Sequence, residues 1–310
     1  MESNFNKIGE VTLDYTYYSG KDLYVDGSEE ELLNLVQQYE PEEYNKVIVE
    51  KNTWPILYHL SAIRGNIVEW LPITKEDEVL EIGAGCGAIT GTLAQKAKQV
   101  DCIELSKMRS LVNANRNKQH DNITIMVGNF QDVEKNITKK YDYITLIGVF
   151  EYAASYIQSE TPYEEFLKII KKHLKSDGKI IIAIENKYGL KYWAGCKEDH
   201  VAQFFAGIEG YVGIQHIRTF SKQELQTIAE KVGLGNVEFY YPYPDYKLPL
   251  EIYSDKRLPK IGELTNNLRN FDNDRMVLFD ESRVYDNLIK DGLFDIFSNS
   301  YLLVLQQEEI

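Results

Sequence analysis

Val79-Leu-Glu-Ile-Gly-Ala-Gly-Cys-Gly-Ala-Ile-Thr90 decides the fold. An apolar strand-like run enters Glu81-x-Gly83-x-Gly85-x-Gly87, and a helical stretch follows from Ala88 to Lys98. Glycine lets a backbone turn sharply and approach a ligand with no Cβ in the way. The start of the helix adds free N–H groups aimed at the same place. Seventeen residues after Gly87 the next strand-like run ends at Glu104, where a carboxylate can accept hydrogen bonds from both hydroxyls of a ribose.

Working outward, further strand-like runs occur at 78–82, 99–103, 123–127, 143–147, 179–184 and 237–241, and a last one at 301–306. Helical stretches at 88–98, 107–117, 163–174 and 221–232 separate most of them. Strands alternating with helices predict a doubly wound, mostly parallel seven-stranded α/β sheet. Ser221-Lys-Gln-Glu224 has the form of a capping box and marks a helix start. Four segments follow: an N-terminal helical extension or lid over 1–73, a cofactor-binding domain over 74–241, a substrate-side insertion over 242–298, and the last strand over 299–310. Helical patterns near 29–39 and 55–70 fill the extension, and a chain entering the first strand from there passes the ligand edge of the sheet.

The chain has 310 residues and a net charge of −14. An acidic surface repels nucleic acid and anionic membranes, which argues against both as partners. No apolar run reaches the roughly 18 residues of a membrane span. The start, Met-Glu-Ser-Asn-Phe, lacks a basic region followed by an apolar stretch, so a cytoplasmic location is expected. The three cysteines, Cys86, Cys102 and Cys196, form no CxxC, so neither a disulfide framework nor a zinc site is indicated.

A second reading fits the same loop. Gly83-x-Gly85-x-x-Ala88 with Glu104 matches a dinucleotide fingerprint. Against it stand the extra glycine at 87, an acid at 81 inside the strand end, where a carboxylate can sit near a cationic amino group of the cofactor, and a domain that starts some 75 residues into the chain.

Glu81-Ile-Gly83-Ala84-Gly85-Cys86-Gly87 resembles the first motif of the class I S-adenosylmethionine-dependent methyltransferases. The resemblance covers roughly 75–241 and the last strand, and implies the Rossmann-like methyltransferase fold with S-adenosylmethionine as cofactor. It puts the glycine loop under the methionine part of the cofactor and gives the ribose to Glu104. Gly128-Asn129-Phe130-Gln131-Asp132 stands where the family commonly has Gly-Asp-x-x-Asp. Asn129 then takes the adenine amino group through its amide oxygen, with Phe130 on the adenine face. The family's sixth and seventh strands form an antiparallel pair, so residues between Tyr241 and Tyr301 must fill that hairpin. Gly148-Val149-Phe150-Glu151 corresponds to the segment beside the cofactor and lacks the Asn/Asp-Pro-Pro-Tyr signature of enzymes that methylate bases. The block from Glu185 to His200 resembles a bacterial subgroup associated with glycosyltransferases of surface polysaccharide pathways, which implies a carbohydrate acceptor and a glycosyltransferase partner.

Methyl transfer from a sulfonium needs positioning above all, and a hydroxyl acceptor also needs a base. His200 is the first candidate base, with Glu151 and Glu185 at the ends of the fourth and fifth strands beside it in rank. No metal ligand set is evident from spacing, and Asp272-Asn-Asp274 reads as a solvated loop. The tyrosines at 15, 17 and 18 and at 240, 241, 243 and 246 read either as a packing layer or as sugar-binding surface. The expected function is methylation of a small molecule or glycan precursor; the alternatives are a NAD- or flavin-dependent oxidoreductase and a non-catalytic binding module.

Overall fold

The computed structural model describes residues 4–22, 24, 26–267 and 274–308. Its strands are β1 Phe5–Ile8, β2 Val11–Asp14, β3 Glu78–Ile82, β4 Gln99–Glu104, β5 Ile123–Val127, β6 Tyr141–Ile147, β7 Leu174–Glu185, β8 Asn236–Tyr243, β9 Glu251–Ser254 and β10 Ser300–Gln306. The described residues thus hold ten strands where the sequence predicted seven. The three additions are short: β1 and β2 come from the N-terminal extension, and β9 from the stretch before the last strand. Two compact units result, Met1–Leu146 with His173–Gly178, and Ile147–Lys172 with Lys179–Ile310.

In the first unit the strand order is β1-β2-β5-β4-β3-β6. The pairs from β2 to β6 are parallel, with Val79 opposite Val100 and Cys102 opposite Ile125. Parallel strands covered on both faces need near-continuous apolar runs, and Val79, Leu80, Ile82, Val100, Ile103, Ile123, Ile125 and Val127 are all buried. β1 and β2 form an antiparallel hairpin, and Val11 and Leu13 of β2 reach the core. Leu32, Leu35, Tyr44, Val47, Ile56 and Leu60 pack with Cys86 and Val112 in one apolar cluster. The extension therefore shares its core with the glycine loop. The expected helix over 55–70 is broken: Trp54–Leu60 ends where Ser61 turns extended, and a 3₁₀ turn Ala62–Gly65 follows.

In the second unit the order is β7-β10-β8-β9, all antiparallel. β10 lies beside β8, with Leu302 opposite Tyr240, so the expected antiparallel pair is present and the residues between form the insertion. Ser221 and Glu224 make both bonds of the capping box before the helix Lys222–Lys231. Tyr241, Tyr246, Tyr285 and Tyr301 are fully buried, and the rings of Tyr241 and Tyr301 meet edge to face at 6.1 Å. Of the group at 240–246, Tyr241, Tyr243 and Tyr246 pack inside, and Tyr240 is half-buried. Among the described residues no helix is long and apolar enough to cross a membrane.

Candidate functional site

In the first unit the ends of β3, β4 and β5 carry the motif residues. The loop after β3 runs through Gly83, Ala84, Gly85, Cys86 and Gly87 into the helix Thr90–Lys96. Gly85 has a φ of +53°, and the nearest atom to a Cβ built there is an Arg109 guanidinium nitrogen at 4.0 Å. Space is left above it, and any larger side chain projects into that space.

Gly87 has a different reason. Its φ is +77°, and a Cβ there falls 2.4 Å from Asn113 Oδ1 and 2.7 Å from Asn117 Nδ2. Both asparagines are buried, and Asn117 Nδ2 donates to Asn113 Oδ1 at 2.8 Å. Left-handed strain and the clash add, so Gly87→Ala is expected to lower stability by about 2–3 kcal/mol. Urea denaturation of the variant checks this; a loss below about 0.5 kcal/mol contradicts it.

Glu104 ends β4 and is buried. One carboxylate oxygen accepts from Gly85 N at 2.7 Å and the other from Ser106 N at 2.9 Å. A carboxylate has about four acceptor positions, so two remain for the hydroxyls of a ribose. Burial raises its pKa against the lowering by those amides and by Arg109. Asn129 caps the helix Phe130–Glu134, its Oδ1 accepting from Gln131 N at 3.1 Å, which leaves one lone pair for an amino group. Phe130 is the first residue of that helix and is half-buried.

Glu81 is buried at the end of β3, and its Oε2 accepts from Thr90 Oγ1 at 2.6 Å and from Cys102 Sγ at 3.6 Å. Burial pushes it up to about 7, and the bonds from Thr90 and Cys102 offset only part. A carboxyl raised from 4.5 on folding leaves stability intact below pH 4.5 and costs more as pH rises through 7. The cost reaches about 3 kcal/mol at alkaline pH. Glu81→Gln is expected to flatten the fall in urea midpoint between pH 5 and 8; an unchanged slope contradicts this.

The extension wraps the same edge. Tyr17 packs its backbone against Gly128, and Asp22 accepts from Lys107 N at 2.6 Å and Met108 N at 3.2 Å. The Tyr24 ring lies 4.3 Å from the Arg109 guanidinium, which pairs with Asp26 and with Glu29 at 3.2 Å. Arg109, Asp26 and Glu29 were not legible from spacing, because their pairing joins segments some 80 residues apart. Arg64 is buried with its guanidinium 4.0 Å from the Tyr58 ring, and His59 is buried with Nε2 3.7 Å from Asp26.

The second unit brings Glu151, Glu185 and His200 together. Glu151 follows β6, Glu185 ends β7, and His200 lies beyond the short helix Leu190–Trp193. His200 Nε2 is 3.5 Å from Glu151 Oε1 and 3.7 Å from Glu185 Oε2, and Nδ1 is 2.9 Å from Glu198 Oε1. Lys247 reaches Glu185 Oε1 and Asp199 Oδ1, both at 2.7 Å, and Lys191 reaches Asp199 at 2.8 Å and Asp245 at 3.4 Å. Burial pulls the imidazole down, but the charges of Glu185, Glu151 and Glu198 outweigh it and hold His200 well above its ordinary value. The surrounding carboxylates thus favour the protonated imidazole. Burial raises Glu151, while Lys247 and His200 outweigh burial at Glu185 and lower it. Glu198, missed in the sequence, is the partner of His200; Asp199 bonds Tyr192 and the two lysines instead. The contiguous Glu198-Asp-His200 is the signal that was there to read.

Gly148 also belongs to the second unit. Its N donates to Ala183 O at 3.0 Å, and the Tyr246 hydroxyl lies over its α-carbon. Asp272 and Asn273 lie outside the described residues.

The profile of a family described as a methyltransferase domain matches residues 58–238, more than half the chain. Among curated relatives, the ribosomal RNA small subunit methyltransferase A of Clostridium acetobutylicum is 32% identical over 114 residues, covering 37% of this chain and 38% of that protein. The namesake from Leuconostoc mesenteroides is 44% identical over 61 residues, 20% of this chain and 21% of its own. A methyltransferase of Staphylococcus carnosus is 32% identical over 113 residues, 36% of this chain and 49% of that one. The chain thus spans less than half the length of each of these relatives. A solved S-adenosylmethionine-dependent methyltransferase from Archaeoglobus fulgidus aligns with a TM-score of 0.50 at 16% identity, over 81% of this chain and 96% of that one, and shares the fold. The oxidoreductase reading falls away: with its glycine loop, Glu104 and family match, this chain belongs to the class I methyltransferases and uses S-adenosylmethionine.

Proposed function

We propose that the enzyme methylates a small molecule or glycan precursor at a neutral or cationic polar group, with Glu151 receiving the acceptor's proton. The acid excess around His200 carries the reading. Five carboxylates, Glu151, Glu185, Glu198, Asp199 and Asp245, stand against three cations, Lys191, Lys247 and His200. Such a cluster repels phosphate-bearing acceptors and favours hydroxyl or amine donors. The bound cofactor supplies an already activated methyl group, so the protein's own part is to hold, orient and deprotonate. Glu81, Gly83 to Gly87, Glu104, Asn129, Phe130 and Gly148 are assigned to cofactor binding, and Glu81 also accepts from Thr90 and Cys102. Among the described residues Glu151 Oε2 has no hydrogen-bond partner although Glu151 is 1% exposed. That oxygen is the proton acceptor on this reading, and His200, whose Nε2 faces the other oxygen, orients the carboxylate. A glycan acceptor also implies a glycosyltransferase as partner.

Ribosomal RNA is the second reading, favoured by the names of the curated relatives. The net charge of −14 opposes it. Methyl-labelled S-adenosylmethionine with a panel of monosaccharides, amino sugars and hydroxylated aromatics, beside small-subunit ribosomal RNA, separates the two. Label in the small-molecule fraction is expected; label in the RNA alone overturns the proposal.

A further inference from the structure

The geometry points to a divalent-cation site in the second unit, formed by Glu151, Glu185 and His200, for an ion of the Mn²⁺, Co²⁺ or Zn²⁺ kind. One ligand atom from each of the three lies within 4.8 Å of the others. The gaps from His200 Nε2, 3.5 Å to Glu151 Oε1 and 3.7 Å to Glu185 Oε2, exceed the roughly 2.7–2.9 Å of a charge-assisted hydrogen bond. They approach the spacing of about 3.4 Å between two ligands held about 2.1 Å from a tetrahedral ion.

The orientation of the imidazole is a second observation. An ionised carboxylate only accepts, so Nδ1 donates to Glu198 Oε1 at 2.9 Å and Nε2 is left facing Glu151 and Glu185. Glu198 is itself fixed by His200 N at 2.7 Å, Val201 N at 2.8 Å and the Tyr211 hydroxyl at 2.9 Å. A carboxylate that orients a histidine from behind is the usual outer shell of a metal-bound imidazole. The third observation is Glu185 Oε2, which among the described residues accepts no hydrogen bond although Glu185 is 0% exposed. Lys247 pairs with the other oxygen, Oε1. A buried carboxylate oxygen without a donor is costly, and a cation between it, Glu151 Oε1 and Nε2 would satisfy it. Two carboxylates and one imidazole, with no thiolate, suit borderline and hard divalent ions. The ion would hold an acceptor oxygen and ease loss of its proton, while Glu151 Oε2 stays open to receive it.

The ion would replace the proton on His200 Nε2 and reduce the acid excess around it, and the inference is tested apart from the proposed function because metal binding is read with no methyl donor present. The full chain is stripped with EDTA and titrated with Co²⁺, followed by calorimetry and by the visible absorption of bound Co²⁺. One equivalent is expected, with a higher Tm. His200→Ala and Glu185→Gln are expected to weaken binding at least about 100-fold, and Glu198→Gln by about 10–100-fold. Far-UV circular dichroism confirms that each variant is folded. Absence of binding to the stripped wild type at millimolar Co²⁺ overturns the site, leaving an imidazolium there instead. Unchanged affinity in folded His200→Ala or Glu185→Gln overturns it as well.

Discussion

Replacing Glu104 by alanine is expected to weaken S-adenosylmethionine binding at least about 100-fold. Hydrogen bonds to a charged acceptor contribute about 1.5–3 kcal/mol each, and two ribose hydroxyls lose theirs together. Part of the loss comes through the loop, since Glu104 also accepts from Gly85 N and Ser106 N. Glu104→Gln separates the two effects. Its amide keeps the shape and one acceptor oxygen, so its affinity falls between wild type and alanine. Calorimetric titration reads both variants, and equal affinity in Glu104→Ala and wild type removes Glu104 from the cofactor site. Gly85→Arg is expected to abolish binding by a different route, filling the space above the loop.

Glu151→Gln is expected to lower kcat about 10²- to 10⁴-fold, the usual contribution of a positioned base. Cofactor affinity stays at the wild-type value, because no cofactor contact is assigned to Glu151. The glutamine keeps the volume of the carboxylate and loses its charge and its capacity to take a proton. It also removes one of the carboxylates that raise His200, so the imidazole becomes easier to deprotonate. Single-turnover measurements at saturating S-adenosylmethionine separate a slower chemical step from weaker binding. A variant with unchanged kcat and raised KM makes Glu151 a binding group and not a base.

The two variants rest on different parts of the chain, and the parts were not equally legible in sequence. β3 to β5 stand out because strands buried on both faces must be apolar throughout, as in Glu78–Ile82 and Ile123–Val127. β1 is four residues long with three of them exposed, and nothing in Phe-Asn-Lys-Ile marks it as a strand. β2 alternates apolar and polar, Val-Thr-Leu-Asp, but is too short for the period to register. Its place beside β5 is set by tertiary pairing, Leu13 opposite Ile125, which local sequence does not encode. The cofactor loop was legible because its glycines, strand and helix are contiguous. The cluster around His200 was legible only as separate candidates, since Glu151, Glu185, Lys247 and His200 lie on different segments. His200 stood alone as the first candidate base in sequence, and the structure sets three carboxylates around it that favour its protonated form.

Calorimetric titration of the wild-type chain with S-adenosylmethionine, its demethylated product, NAD and NADH tests the central claim most directly. The account predicts one site for each of the two adenosyl ligands and no heat from either nicotinamide. Binding of NAD with silence from S-adenosylmethionine would contradict it, and silence from all four would reduce the glycine loop to a structural turn.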